Sequence, residues 1–140
     1  MVSIEQALTW HREGRREQAE KAYLECATAD PNNAHVHFLL SVLYVELGRV
    51  GEAKDAIGRA VGLSPNVVSY LLQHAELEAK SGAPDAQVVE LFEKAAGLDP
   101  SDYSVSARFA MYWVGRGDFT NAWPLLKRAL ELKPDDSALW

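Results

Sequence analysis

Residues 31–65 read PNNAHVHFLLSVLYVELGRVGEAKDAIGRAVGLSP, a stretch that opens on Pro31, closes on Pro65 and turns at Gly48. Apolar residues recur at helical spacing on both sides of Gly48, so the stretch reads as helix, glycine turn, helix, proline stop. Glycine permits the positive φ that closes a helix C-terminus. Proline lacks an N–H and crowds the turn before it, so the second helix cannot run on.

Outward from this stretch the same punctuation returns. Pro31, Pro65, Pro100 and Pro134 are separated by 34, 35 and 34 residues, and Gly14, Gly48, Gly82 and Gly117 by 34, 34 and 35. Two markers in phase over four periods define an internal repeat. The spacing predicts helices from the Ser3–Gln6 capping box to near Gly14, then over about 16–29, 34–47, 51–63, 67–81, 84–97, 102–116 and 119–132. The third helix, with Phe38, Leu39, Leu40, Val42, Leu43, Tyr44 and Leu47, is apolar on more than one face and is expected to be the most enclosed. Pro84 suits the first turn of the sixth helix. Pro124, six residues into the eighth, predicts a late start or a kink there. Gly58 and Gly62 fall inside the fourth helix, where they weaken it or allow a close helix contact.

The chain has 140 residues, 48% of them hydrophobic, enough for a continuous core. A net charge of −6 argues against a nucleic-acid footprint or an anionic membrane surface and favours protein partners. No apolar run approaches the ~18 residues of a spanning helix, and the N-terminus lacks a secretory pattern, so a cytoplasmic chain is the default expectation. The single cysteine, Cys26, excludes an internal disulfide.

The residues within each period resemble the tetratricopeptide repeat, a 34-residue helix-turn-helix unit. The second copy carries Leu40, Tyr44, Gly48, Ala53, Ala60 and Pro65; the fourth carries Ala110, Trp113, Gly117, Ala122, Ala129 and Pro134. The first keeps Ala7, Trp10, Gly14, Ala19, Tyr23 and Pro31, with Cys26 at a small-residue position. The third keeps Ala75, Gly82, Phe92, Ala95 and Pro100, but has Glu78 and Val88 where an aromatic and Ala are usual. The resemblance implies an all-α, right-handed superhelical α-solenoid of four units, about 1–33, 34–67, 68–102 and 103–136, with 137–140 as the start of a truncated fifth unit, and so of a ninth helix, or as a capping turn. A small residue lets two helices approach, and an aromatic fills the wedge beside it.

In this family the concave wall, lined by the first helix of each pair, usually takes the partner. On this chain the resemblance assigns that wall Leu8, His11 and Arg12 from repeat one, and His35, Phe38, Val42 and Glu46 from repeat two. Repeat three adds Leu72, Gln73, Glu76 and Lys80, and repeat four Arg108 and Met111. The Asn pair of the carboxylate-gripping members is replaced by Leu8 and Val42, so the groove is expected to prefer an apolar peptide or partner segment. The bland reading is that Phe38, Val42, Leu72 and Met111 merely pack together.

Catalytic chemistry finds no support in the pattern. His35 and His37 point to different faces of one helix, and although His11 and His35 stand close enough in the repeat scheme to approach each other, no third ligand completes a metal set. His74 reads as a core or boundary histidine, and Cys26 as an inert core thiol. Neither a cofactor nor a metal is expected, and the chain reads as a non-enzymatic interaction scaffold. The alternative is an N-terminal targeting or oligomerisation domain of a larger enzyme, for example a transferase. Trp123, Leu126, Leu130 and Leu132 of the eighth helix lack a full neighbour, and with Trp140 they suggest self-association through that end.

Overall fold

The computed structural model describes residues 2–132; Pro134, Trp140 and the expected start of a ninth helix lie outside them. The described residues form eight helices and no strand. They are α1 (Ile4–Arg12), α2 (Arg16–Ala29), α3 (Ala34–Glu46), α4 (Val50–Leu63), α5 (Val68–Lys80), α6 (Asp85–Leu98), α7 (Tyr103–Gly115) and α8 (Phe119–Leu132). They divide into two compact units, Met1–Pro65 with α1–α4 and Asn66–Trp140 with α5–α8.

The sequence markers act at atomic detail as expected. Gly14, Gly48, Gly82 and Gly117 all take positive φ, between 75° and 82°. Each closes the same motif: the glycine N–H reaches the carbonyl three residues back, and the next residue's N–H reaches the carbonyl five back, as in Arg49 N to Tyr44 O at 2.8 Å. Ahead of the prolines, Asp30, Ser64 and Asp99 share a non-helical backbone, with φ between −138° and −144° and ψ between 83° and 85°. The following proline forbids the helical region to these residues, and so stops each second helix at one place. Asn33 and Asp102 then cap α3 and α7 by accepting the N–H groups of His35 and Ser104. Ser3 Oγ accepts the Gln6 N–H at 3.1 Å, the first half of the expected capping box.

One local expectation is corrected and two are narrowed. α8 begins at Phe119 despite Pro124, so no late start occurs. Asp118 secures the first turn, accepting the Asn121 N–H and side-chain amide, and this anchorage offsets the bond that Pro124 cannot give to Thr120. Pro84 precedes α6 as its cap, with ψ 146°, and offers its carbonyl to Gln87 and Val88. Gly58 and Gly62 permit no close contact, since a Cβ at either would meet nothing within 4 Å.

Small residues sit where helices cross. Ala7, Ala19, Ala53, Ala60, Ala75, Ala95, Ala110 and Ala129 are wholly buried, and Ser41 takes the same place in α3 with its hydroxyl donating to the Phe38 carbonyl at 2.6 Å. α3 has the most buried residues, including His37, whose Nε2 donates to the Pro31 carbonyl at 2.9 Å. Cys26 is buried, its thiol donates to the Val2 carbonyl, and burial pushes its pKa up, all consistent with an unreactive core position. In the second unit Phe92 stacks on Phe109 with centroids 4.8 Å apart, tying α6 to α7; such a pair adds about 0.5–1.5 kcal/mol beyond its buried area.

Candidate functional site

In the first unit two of the predicted wall residues are engaged in polar contacts between helices. His11 Nε2 donates to the Glu46 carboxylate at 2.5 Å, and its Nδ1 lies 3.0 Å from the Tyr23 hydroxyl. Arg16 Nε reaches the other Glu46 oxygen at 3.3 Å. Two of the candidate residues, His11 and Glu46, are therefore spent on holding α1 and α2 to α3. His11 meets Glu46 and Tyr23 rather than His35, which instead stacks on Phe38 with centroids 6.0 Å apart. His35 and Arg12 are exposed, and Leu8, Phe38 and Val42 are half-buried. His37 is buried while His35 faces solvent, as a two-residue separation on a helix requires.

The second unit does hold a cleft. A cavity of about 320 Å³ lies between α5, α6 and α7, with apolar walls from Ala79, Phe92, Ala107, Met111 and Tyr112. Glu76 and Arg108 complete the lining, with Arg108 Nε 2.8 Å from Glu76 Oε1. Of the predicted residues, the structure thus brings together Glu76, Arg108 and Met111. Met111 is 58% exposed, unusual for so apolar a side chain. Lys80, one turn beyond Glu76, is exposed, and Gln73 is half-buried. Leu72 is buried, 2% exposed, and so is a core residue with no surface to offer a ligand.

The electrostatics of this cleft centre on Glu76. Burial pushes its carboxyl above the usual range, and Arg108 and Lys80 pull it partly back. Despite the short approach, the Arg108 N–H is not directed at Oε1, and that oxygen is buried without a hydrogen bond among the described residues. At the far wall Tyr112 donates to Asp85, which also takes Arg116 Nε at 2.8 Å. Tyr112 is pushed up to about 12, first by burial and then by this bond. The pair clamps Tyr112 in place and fixes one side of the cleft.

Sequence reasoning missed Tyr112, Phe92 and Ala79 as lining residues. Tyr112 follows Arg108 by four and Met111 by one, so a single turn of α7 carries three of the walls, and that spacing was the available signal. Phe92 and Ala79 were hidden because a pattern that marks a residue as packing does not say that its edge stays open.

Other surfaces offer less. His74 and Glu78 approach to 3.5 Å beside a shallow polar hollow with Gln87, Glu90 and Lys94, which makes His74 a boundary residue. Among the described residues no group of three His, Cys, Asp or Glu side chains is disposed to hold a metal, and no helix is long and apolar enough to cross a membrane. On α8, Phe119 and Trp123 are 66% and 62% exposed, and Leu126, Leu130 and Leu132 are half-buried.

Comparison with known proteins places this geometry. The family model for the tetratricopeptide repeat matches residues 11–75. The peroxisomal targeting signal receptor of Yarrowia lipolytica (strain CLIB 122 / E 150) is 28% identical over 155 aligned positions, covering 99% of this chain and 25% of the receptor. The chain thus spans about a quarter of the length of that relative. Among solved structures, MamA matches with a TM-score of 0.81 at 16% identity over 99% of this chain and 80% of its own. YrrB, described as a TPR protein with an unusual peptide-binding site, matches with 0.82 at 17% identity over 96% and 69%. At those identities the likeness is one of fold. Residues 11–75 match the tetratricopeptide repeat, and the helix pairs before and after them follow the same helix-turn-helix pattern and fold.

Proposed function

We propose that this chain is an interaction scaffold that takes a short apolar segment of a partner protein in the cleft between α5, α6 and α7. The observation that carries the reading is the open apolar pocket closed on one side by the exposed Met111 and walled by Ala107, Phe92 and Tyr112. Its volume is at the lower end for ligand sites, which suits one or two side chains rather than a folded domain. An extended or helical segment with an aliphatic anchor fits such a slot. The description of YrrB as peptide-binding, and a relative named as a receptor for a targeting signal, both support a peptide as the ligand.

An array of immobilised 15-residue peptides tests this. Wild type is expected to retain a set of peptides rich in Leu, Ile or Met, and Met111→Glu to lose them with its helical circular dichroism unchanged. Retention of the same set by Met111→Glu would show that the cleft is not the binding site. Leu72, by contrast, is too buried to serve as a probe, since a charge there disrupts the core.

A second reading is self-association through α8, favoured by the exposed Phe119 and Trp123. The alternative of a targeting or oligomerisation domain of a larger enzyme draws on the same face.

A further inference from the structure

The cleft's polar edge carries more information than its apolar walls. Glu76 is the one carboxylate lining it, its side chain is 40% exposed, and its Oε1 is buried with no hydrogen bond among the described residues. A desolvated carboxylate oxygen without an aligned donor is costly, and the nearby Arg108 supplies charge without supplying that bond. Arg108 is different, being 46% exposed and therefore able to satisfy its donors with water. Of the two charges at the cleft, the acid gains more from a new partner. Burial has already pushed the Glu76 carboxyl upward in pKa, against the opposing pull of Arg108 and Lys80. The charge of the whole chain, −6, adds a field that draws cationic segments toward it.

Building on the peptide-binding reading above, we propose that Glu76 makes the cleft selective for an apolar side chain neighboured by a basic one. The apolar group fills the slot beside Ala79, Ala107 and Met111, and a Lys ammonium or Arg guanidinium from the same segment donates to the Glu76 carboxylate. Arg108 then swings toward solvent or shares the carboxylate. Glu76 is thus a specificity-determining residue, and the pocket alone sets the baseline affinity.

Three fluorescein-labelled nine-residue peptides, capped at both ends and alike except for a central Leu-Lys-Leu, Leu-Gln-Leu or Leu-Glu-Leu, provide the probes. Anisotropy titration of the whole chain is expected to rank Lys over Gln over Glu, with Lys about fivefold tighter than Gln at low salt. In Glu76→Gln that preference is expected to vanish, and in Met111→Glu all three are expected to be lost. Equal binding of the three peptides, a preference for Leu-Glu-Leu, or a Lys preference that survives Glu76→Gln each overturns the assignment of Glu76 and leaves the peptide cleft standing. Failure of wild type to bind any of them overturns the assignment along with the cleft itself.

Discussion

Tyr23 shows how one side chain serves packing and polar order at once. Its ring is fully buried at the centre of the first unit, and its hydroxyl meets His11. Burial first, and the Glu46 carboxylate second, push its pKa up to about 12, and Tyr112 is pushed to about 12 as well. An unfolded tyrosine ionises near ~10. Both phenols therefore hold their protons more tightly in the fold, so the stability they contribute is complete below about pH 10 and is lost as the pH rises toward 12. Burial pushes Tyr44 and Tyr70 up as well, so titration followed by tyrosinate absorbance is expected to show a late wave that Tyr23→Phe and Tyr112→Phe together reduce without abolishing. Tyr23→Phe alone keeps the packed ring and removes one hydrogen bond, an expected cost of about 1 kcal/mol by chemical denaturation. Glycine makes a matching contrast. Gly48 at φ +75° and Gly58 in α4 both have open space where a Cβ would go. Gly48→Ala is expected to destabilise by about 1–2 kcal/mol because only backbone strain is added. Gly58→Ala is expected to stabilise by roughly 0.5–1 kcal/mol because only unfolded-state freedom is removed.

Among the elements, the helices whose ends carry glycine, proline or a capping side chain were legible to within a residue or two. The turn chemistry is local: a left-handed residue and a pre-proline residue have few conformations to choose from. Pro84 and Pro124 were harder, since proline constrains without saying which neighbour compensates. In α8 it is Asp118, which grips the first turn and lets the helix begin at Phe119. Pro124→Ala restores a donor to the Thr120 carbonyl and is expected to raise stability by about 1 kcal/mol or more, measured as a higher Tm. α5 lacks a capping side chain because Val67 stands where Asn33 and Asp102 serve α3 and α7. Val67→Asp is expected to stabilise its N-terminus by about 1 kcal/mol.

Across the whole molecule, the repeat leaves one apolar face for a prediction. Leu126 occupies the place in α8 that Tyr23, Ile57 and Phe92 hold in α2, α4 and α6, and those three are buried while Leu126 is half-buried. With Phe119 and Trp123 exposed beside it, sedimentation is expected to show self-association at tens of micromolar that Trp123→Glu abolishes; a monomeric mass for wild type would count against it. The sequence by itself determined the helix-turn-helix unit, its number and its small-residue core, because period, turn chemistry and side-chain volume are local or recur in fixed phase. Only the tertiary structure decided which wall residues stay open. His11 and Glu46 lie 35 positions apart and lock together, Leu72 is buried, and Glu76, Arg108, Met111 and Tyr112 gather around one cleft. Those outcomes turn on how helices distant in sequence pack, and on which charge finds a partner there.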